Sequence, residues 1–380
     1  MKKQTILIIS LLVVAVAVYL SLGFFTKEEE AKQEINLSDI QLPEGFEIAI
    51  YAEVANARSM VLSENGTLFV GNRSGDKVYA VRDEDDNKVA EKVFIIDQDL
   101  TMPNGVALKD GHLYVAEVNR ILRYRNIEEN LSNPPEPEVV YDKYPTEKHH
   151  GWKYIAFGPD GKLYVPVGAP CNICLNEDDP IYASITRIDV DNPEPEIVAN
   201  GVRNTVGFDW NPVDGKLWFT DNGRDMMGDD VPPCELNVVS ADGQHFGYPF
   251  CHGGTISDPE FGKQRDCADF IKPAANFMAH VAPLGMNFYD GAMFPEAYSN
   301  KIFVAQHGSW NRAKKSGYRI MMIDHDNTTS TKVEVFAEGW LNHETQGAWG
   351  RPVDVITMPD GSILISDDYA DVIYRVTYNG

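Results

Sequence analysis

The chain has 380 residues, 43% hydrophobic and 11% aromatic, enough for one large core or a closed ring of small sheets without a second domain. Its 33 basic and 57 acidic residues leave a formal charge of −24, which argues against nucleic acid and anionic lipid surfaces as partners. Lys2 and Lys3 precede an apolar run from Ile6 to Phe25, which as a helix of ~20 residues is long enough to cross a ~30 Å hydrocarbon core. The flank before the run is basic and the flank after it, Glu28 to Glu30, is acidic, so the amino end stays in the cytoplasm and the remainder is exported. No small-x-small cleavage site is evident and no cysteine stands near residue 25 to carry a lipid. Residues 1–25 are therefore read as an uncleaved membrane anchor, with a cleaved signal segment and a secreted product as the alternative. Residues 26–42 read as a charged, solvated tether, and residues 43–380 as one domain facing the periplasm or the extracellular side.

Within that domain one phrase recurs: GTLFVGN at Gly66, DGHLYVAE at Asp110, DGKLYVPVG at Asp160, DGKLWFTDNG at Asp214, NKIFVAQHG at Asn300 and DGSILISDD at Asp360. Each copy is a turn dipeptide followed by alternating apolar and aromatic residues, the local code for a hairpin feeding a strand. Six strand-rich repeats of this spacing predict an all-β fold, a six-bladed β-propeller, which leaves few sheet edges exposed and gathers functional loops near its axis.

Candidate chemistry follows in chain order. His149 and His150 stand on a loop entering a blade, where a neutral imidazole can take a proton from a hydroxyl; a pair of surface histidines is the plainer alternative. Cys171 and Cys174 form CNIC, but Leu175 follows where covalent haem attachment needs histidine. Arg203 and Asn204 precede another strand and together can bind a carbonyl that becomes an oxyanion, unless Asn204 merely caps its own turn. TDNGRDMMGDD, from Thr220 to Asp230, offers the main-chain carbonyls and carboxylates that suit calcium, as do the pairs Asp229 with Asp230 and Asp367 with Asp368, although each pair taken alone reads first as a solvated charge. Cys251 and Cys267 would close a sixteen-residue loop as a disulfide, and of the five cysteines one must stay unpaired or pair outside the chain. HGSWNR and WGRPVDV place Arg312 and Arg351 beside tryptophans, a pattern of cation–π packing or of binding a flat anion. Residues His245 to Pro295 read as a long insertion between the fourth and fifth repeats.

The strings HHGWKYIAFGPDGKLYVPVGAPCN, GVRNTVGFDWNP, TDNGRDMMGDD, GYPFCHGG, AHVAPLGMNFY, VAQHGSWNR and GRPVDV, with SDD near the end, occur in that order. From about Pro43 to Val376 the chain thereby resembles the sorbosone dehydrogenase branch of the glucose/sorbosone dehydrogenases, enzymes that use pyrroloquinoline quinone (PQQ) on a six-bladed propeller. The resemblance implies His150 as catalytic base, with His149 where a carboxylate neighbour often stands, and Arg203 with Asn204 at the reactive carbonyl side of the quinone. It implies Arg351 over the cofactor, Arg312 and Asn104 at cofactor carboxylates, Trp310 or Trp349 against the ring face, and the main-chain oxygens of Gly223 and Arg224 as ligands of a Ca2+ ion. A lysine for a cofactor carboxylate has no counterpart. The implied reaction is PQQ- and calcium-dependent oxidation of an aldose or related aldehyde to lactone or acid. No haem motif in this chain supplies the external electron acceptor. The alternatives are a calcium-dependent, lactonase-like hydrolase and a non-enzymatic propeller displaying a binding face.

Overall fold

The computed structural model describes residues 34–176 and 178–380, so the expected anchor and most of the expected tether lie outside the described residues. Among the described residues no helix is long and apolar enough to cross a membrane.

The strands form six blades. In blade 1 they are Met60–Leu62, Leu68–Val70, Val78–Arg82 and Lys92–Asp97; in blade 2, Gly105–Lys109, His112–Ala116, Ile121–Tyr124 and Glu138–Tyr141. Blade 3 has Ala156–Phe157, Leu163–Val167, Ser184–Asp189 and Asn192–Asn200, with Gln244–His245 added in parallel at its edge. Blade 4 has Phe208–Trp210, Leu217–Asp221, Pro233–Val238 and Ala275–Ala279, and blade 5 has Pro283–Phe288, Ile302–Gln306, Arg319–His325 and Ser330–Glu338. Blade 6 joins Pro352–Thr357, Ile363–Asp367 and Val372–Tyr378 to the first strand of the domain, Phe46–Glu53, in register Phe46 opposite Tyr378. This last pairing closes the ring with both ends of the domain in one sheet, so the first and last blades pack face to face and no blade face is left uncovered, while Phe46–Glu53 remains the outer edge strand.

Local sequence explains the blades. Asp110 and Gly111 both adopt positive φ, 51° and 76°, and join strands whose register sets Lys109 opposite His112: the two-residue turn that an Asp-Gly pair favours. Each recurring phrase supplies the second strand of its blade. These strands face a neighbouring blade on either side, and Leu163–Val167, Leu217–Asp221, Ile302–Gln306 and Ile363–Asp367 are buried along their whole length. Outer strands such as Asn192–Asn200 meet solvent and alternate in burial. Apolar clusters fill the wedges between blades, for instance Phe69, Val106, Leu113, Val115 and Tyr124 between blades 1 and 2.

Two expectations need correction. Residues 35–42 are not a solvated tether: Leu37, Ile40 and Leu42 pack against the apolar cluster shared by blades 5 and 6, and Gln41 exchanges main-chain hydrogen bonds with Glu338 at 2.7 and 3.2 Å. Their apolar side chains outweigh the acidic run that precedes them. The segment His245 to Pro295 does lie between the fourth and fifth repeated phrases, but only its first part is inserted, because Ala275–Ala279 and Pro283–Phe288 are strands of blades 4 and 5; the insertion interrupts blade 4 between its third and outer strands, carries the small hairpin Cys251–His252 with Ile256–Ser257, and is braced by a Cys251–Cys267 disulfide. Cys171 and Cys174 form a second disulfide, and Cys234 is the free, buried thiol.

Candidate active site

In an antiparallel blade the residue before the first strand and the residue after the second lie at the same end. Six blades therefore bring twelve short segments to one face around the axis, and a cavity of about 270 Å³ opens there. Arg58, Trp152, Arg203, Asn204 and Arg351 reach it from segments that precede first strands, Leu284 from the start of the first strand of blade 5, and Arg73, Asn222, Gly223, His307 and Gly308 from segments that follow second strands.

His150 lines this cavity at 8% exposure, with φ of 51°. Its ring approaches because residue 168 is glycine: a Cβ there would lie 2.5 Å from His150 Cβ and 2.7 Å from its carbonyl oxygen. His150 Nδ1 lies 2.8 Å from the carbonyl oxygen of Ala169. A carbonyl only accepts, so Nδ1 carries the proton and Nε2 keeps its lone pair. Burial first, then the charge of Arg203, hold the imidazole's pKa well below the usual histidine value, so the ring is neutral. The ring of His149 lies tilted against it, centroids 4.0 Å apart, and His149 is itself exposed and outside the cavity lining.

Arg203 is buried and held on four sides. Its Nε donates to Asn172 O at 2.9 Å, Nη2 to Asn172 Oδ1 at 2.9 Å and to Asp225 Oδ2 at 3.3 Å, and Nη1 to Asn222 O at 3.2 Å, which leaves one N–H on Nη1. Asp221 anchors this turn: its two oxygens accept the main-chain N–H groups of Arg203 at 2.9 Å and of Asn204 at 2.7 Å. Its amide faces the same cavity as His150.

Across the cavity a second cluster forms. Arg58 donates to Asp368 at 2.5 Å and to Asn104 Oδ1 at 2.6 Å, and His307 Nε2 lies 2.7 Å from Asp368. Arg351 donates to the carbonyls of His307 and Gly308, both at 3.1 Å. Burial and the adjacent Arg351 push the His307 pKa down to about 4, while His307 and Arg58 together overcome burial to hold Asp368 below its ordinary value. The guanidinium of Arg73 lies 3.8 Å over the ring of Trp152, and Arg73 Nε and Trp152 Nε1 are both buried without a hydrogen-bond partner.

Other expected contacts fall elsewhere. Asn104 is fully buried and bonds Ser59 and the carbonyl of Lys153, so it supports Arg58 rather than reaching a ligand. Arg312 is committed to Asp229 O and Asp230 Oδ1, each at 2.8 Å, outside the lining. Trp349 sits in the apolar core with Nε1 donating to Gly339 O at 2.9 Å, whereas Trp310, 69% exposed, stands at the rim of the cavity. Of the expected calcium ligands Gly223 borders the cavity and Arg224 does not; the Arg224 side chain turns to Asp258 at 2.5 Å. Asp367 caps main-chain N–H groups of Arg351, Tyr369 and Ala370, which with the Asp368 ion pairs accounts for that acidic couple without a metal.

Arg58, Arg73, Trp152 and His307 were not found as site residues from sequence. Their signal is positional: each occupies the slot before a first strand or after a second strand. Four guanidinium groups and an aromatic floor face a lining whose one carboxylate among the described residues, Asp225, already pairs with Arg203. In a chain of charge −24 such a lining can hold a flat, polyanionic molecule.

Residues 40–379 match the family described as TrAA12-like. An uncharacterized protein of Borreliella burgdorferi is 34% identical over 363 residues, spanning 92% of this chain and 93% of that protein. A pyrroloquinoline quinone-dependent sugar dehydrogenase of Hypocrea jecorina is 24% identical over 252 residues, spanning 52% of this chain and 57% of that one. Among solved structures, the calcium structure of the Trichoderma reesei carbohydrate-active enzyme of family AA12 superposes with a TM-score of 0.77 at 20% identity, covering 92% of this chain and 99% of that one. The holo form of the pyranose dehydrogenase PQQ domain of Coprinopsis cinerea gives 0.76 at 17% identity, covering 89% and 97%. These likenesses establish the fold.

Proposed function

The chain belongs to the TrAA12-like family, and on that footing we propose that it is a PQQ-dependent dehydrogenase that oxidises an aldose, or a related aldehyde of the sorbosone kind, to lactone or acid. The observation that carries the proposal is the juxtaposition of a neutral His150, its Nε2 free, with four guanidinium groups lining one cavity.

The residues present fit the cofactor. Arg58, Arg73, Arg203 and Arg351 answer its carboxylates and carbonyls, taking the part of the missing lysine, and the flat rings of Trp152 and Trp310 answer its plane. The partnerless Arg73 Nε and Trp152 Nε1 are donors left for a ligand. PQQ, when bound, supplies a quinone that accepts a hydride.

The protein's own part is proton handling and orientation. A sugar hemiacetal or hydrated aldehyde carries O–H and C–H on one carbon; His150 Nε2 takes the hydroxyl proton as that C–H bond breaks. The Nδ1–H bond to Ala169 fixes the tautomer, and Ala169 N–H donates to Arg203 O at 2.8 Å, so base and arginine keep a fixed separation. The remaining Nη1 N–H of Arg203 and the Asn204 amide hold an oxygen that gains negative charge. Calcium takes no step in this account, because the one lining carboxylate is already ion-paired and the side chains do not supply the hard oxygen set the ion prefers; main-chain oxygens near Gly223 are what a calcium titration would probe. We place the propeller on the outer side of a membrane, tethered by the apolar run Ile6 to Phe25.

The test is dye-linked oxidation. Purified protein incubated with PQQ, with and without calcium, is given a redox dye and a panel of aldoses and aldehydes; dye bleaching that requires both PQQ and a sugar is expected. No bleaching with any substrate together with no PQQ binding defeats the proposal, and calcium-dependent lactone opening without a quinone favours the hydrolase.

A further inference from the structure

The CNIC loop follows the second strand of blade 3, and the chemistry above gives it no part. Asn172, between the two cysteines, nevertheless supplies two of the four acceptors that hold the Arg203 guanidinium: its main-chain oxygen takes Nε and its Oδ1 takes Nη2, both at 2.9 Å. The same side chain grips the loop carrying Arg203's anionic partner, since Oδ1 accepts from Asp225 N at 2.8 Å and Nδ2 donates to Asp225 O at 3.0 Å. Asn172 thus ties the arginine to the carboxylate that neutralises it. The loop belongs to no strand and is half-exposed; besides the bonds of Asn172 it is held by the Cys171–Cys174 bridge, by the Tyr248 hydroxyl, which accepts the Cys174 N–H at 3.0 Å and lies 3.6 and 3.9 Å from the two sulfurs, and by packing of the adjoining Leu175 against Phe250 and Phe270.

We propose that Asn172 is a positioning residue for Arg203 and that the Cys171–Cys174 disulfide is what fixes it, so that thiol–disulfide exchange at this bridge controls how firmly the arginine is held. The consequence for activity rests on the role given to Arg203 above; the positioning itself does not. The exchange balances with an external dithiol as co-reactant. The dithiol loses two electrons and two protons as it closes to its own disulfide, and the Cys171–Cys174 bond breaks to two thiols. Both cysteines of this bridge are half-exposed, whereas in the other disulfide only Cys267 is and Cys251 is buried beside Phe250 and Phe270. With the bridge open, Asn172 regains backbone freedom that competes with its bonds to Arg203.

The experiment uses the oxidised protein, the same protein after mild dithiothreitol treatment with the open bridge identified by alkylation and mass spectrometry, and the variants C171S/C174S, N172A and N172D. Two readouts are taken: hydrogen exchange of the Arg203 Nε–H in arginine-labelled protein, assigned against R203K, and affinity for PQQ by fluorescence quenching. In reduced protein, C171S/C174S and N172A the Nε–H exchanges at least about tenfold faster and PQQ binds about tenfold more weakly, with N172D, which keeps the accepting oxygen, recovering most of both. Unchanged Nε–H protection in folded C171S/C174S, or in reduced wild type should that variant not fold, overturns the inference. If oxidised wild type binds no PQQ, the proposed function fails, and the Nε–H exchange still decides this one.

Discussion

Gly168→Ala tests the geometry of the base without touching a chemical group. The added methyl would lie 2.5 Å from His150 Cβ and 2.7 Å from its carbonyl oxygen, about 0.9 and 0.7 Å inside ordinary contact at 3.4 Å. Neither neighbour is the far end of a flexible side chain. Relief must therefore come from moving the His150 backbone, already at φ 51°, or the adjoining Ala169, whose carbonyl fixes the imidazole tautomer. A displacement of roughly 1 Å at a reacting group costs on the order of 100-fold in rate, while the strain costs about 1–3 kcal/mol of stability. PQQ affinity, carried by arginines from other blades, falls by less than about tenfold. The assay is dye-linked sugar oxidation at saturating PQQ, with PQQ binding and thermal unfolding measured on the same sample. A folded G168A that binds PQQ and keeps kcat within about threefold of wild type would refute the claim that this contact seats the base.

Other perturbations separate the parts of the site. Because burial and Arg203 depress its pKa, His150 is competent at every pH above that lowered value, and kcat/KM is lost only as pH falls through it; the acid limb therefore lies below ~6.5. H150A abolishes the limb and about 10²–10⁴ of the rate, whereas a limb at or above the ordinary histidine value contradicts a buried neutral base. Asn104→Ala removes the acceptor of Arg58 Nε and should lower stability in urea by about 1–3 kcal/mol while weakening PQQ binding; no change in either refutes its supporting role. Trp310→Ala should leave stability within ~0.5 kcal/mol and weaken ligand binding, and Trp349→Ala should cost about 3–5 kcal/mol, so the reverse ranking in calorimetry would contradict their placement. C251S/C267S opens a sixteen-residue loop and should remove ~3 kcal/mol, read as a lower Tm with the blade signatures retained by circular dichroism; an unchanged Tm argues against the brace.

The architecture was legible because a propeller repeats its local code. Six turn-and-strand phrases stand as the six second strands, and their position between neighbours buries them along their length. The site was legible in part. His150, Arg203, Asn204 and Arg351 sit next to strands in chemically conspicuous strings, and all four line the cavity. Arg58 and Arg73 lie in plainer strings, and only the repeat index, the slot before a first strand or after a second, marks them. Arg312 and Trp349 misled for a converse reason: both neighbour the right residues in sequence, but a residue or two along a loop turns a side chain from the axis into a neighbouring acidic loop or into the core. Residues 35–42 were masked by the acidic run before them, since average charge says nothing about where Leu37 and Ile40 point.

The most direct measurement is calorimetric titration of PQQ into the purified chain and into R73A. Saturable binding of one PQQ per chain is expected, weakened by about tenfold or more when the Arg73 guanidinium over Trp152, with its partnerless Nε, is removed. Wild type that takes up no PQQ, or R73A that binds it as tightly as wild type, would contradict the reading of this cavity as a seat for a planar polyanion.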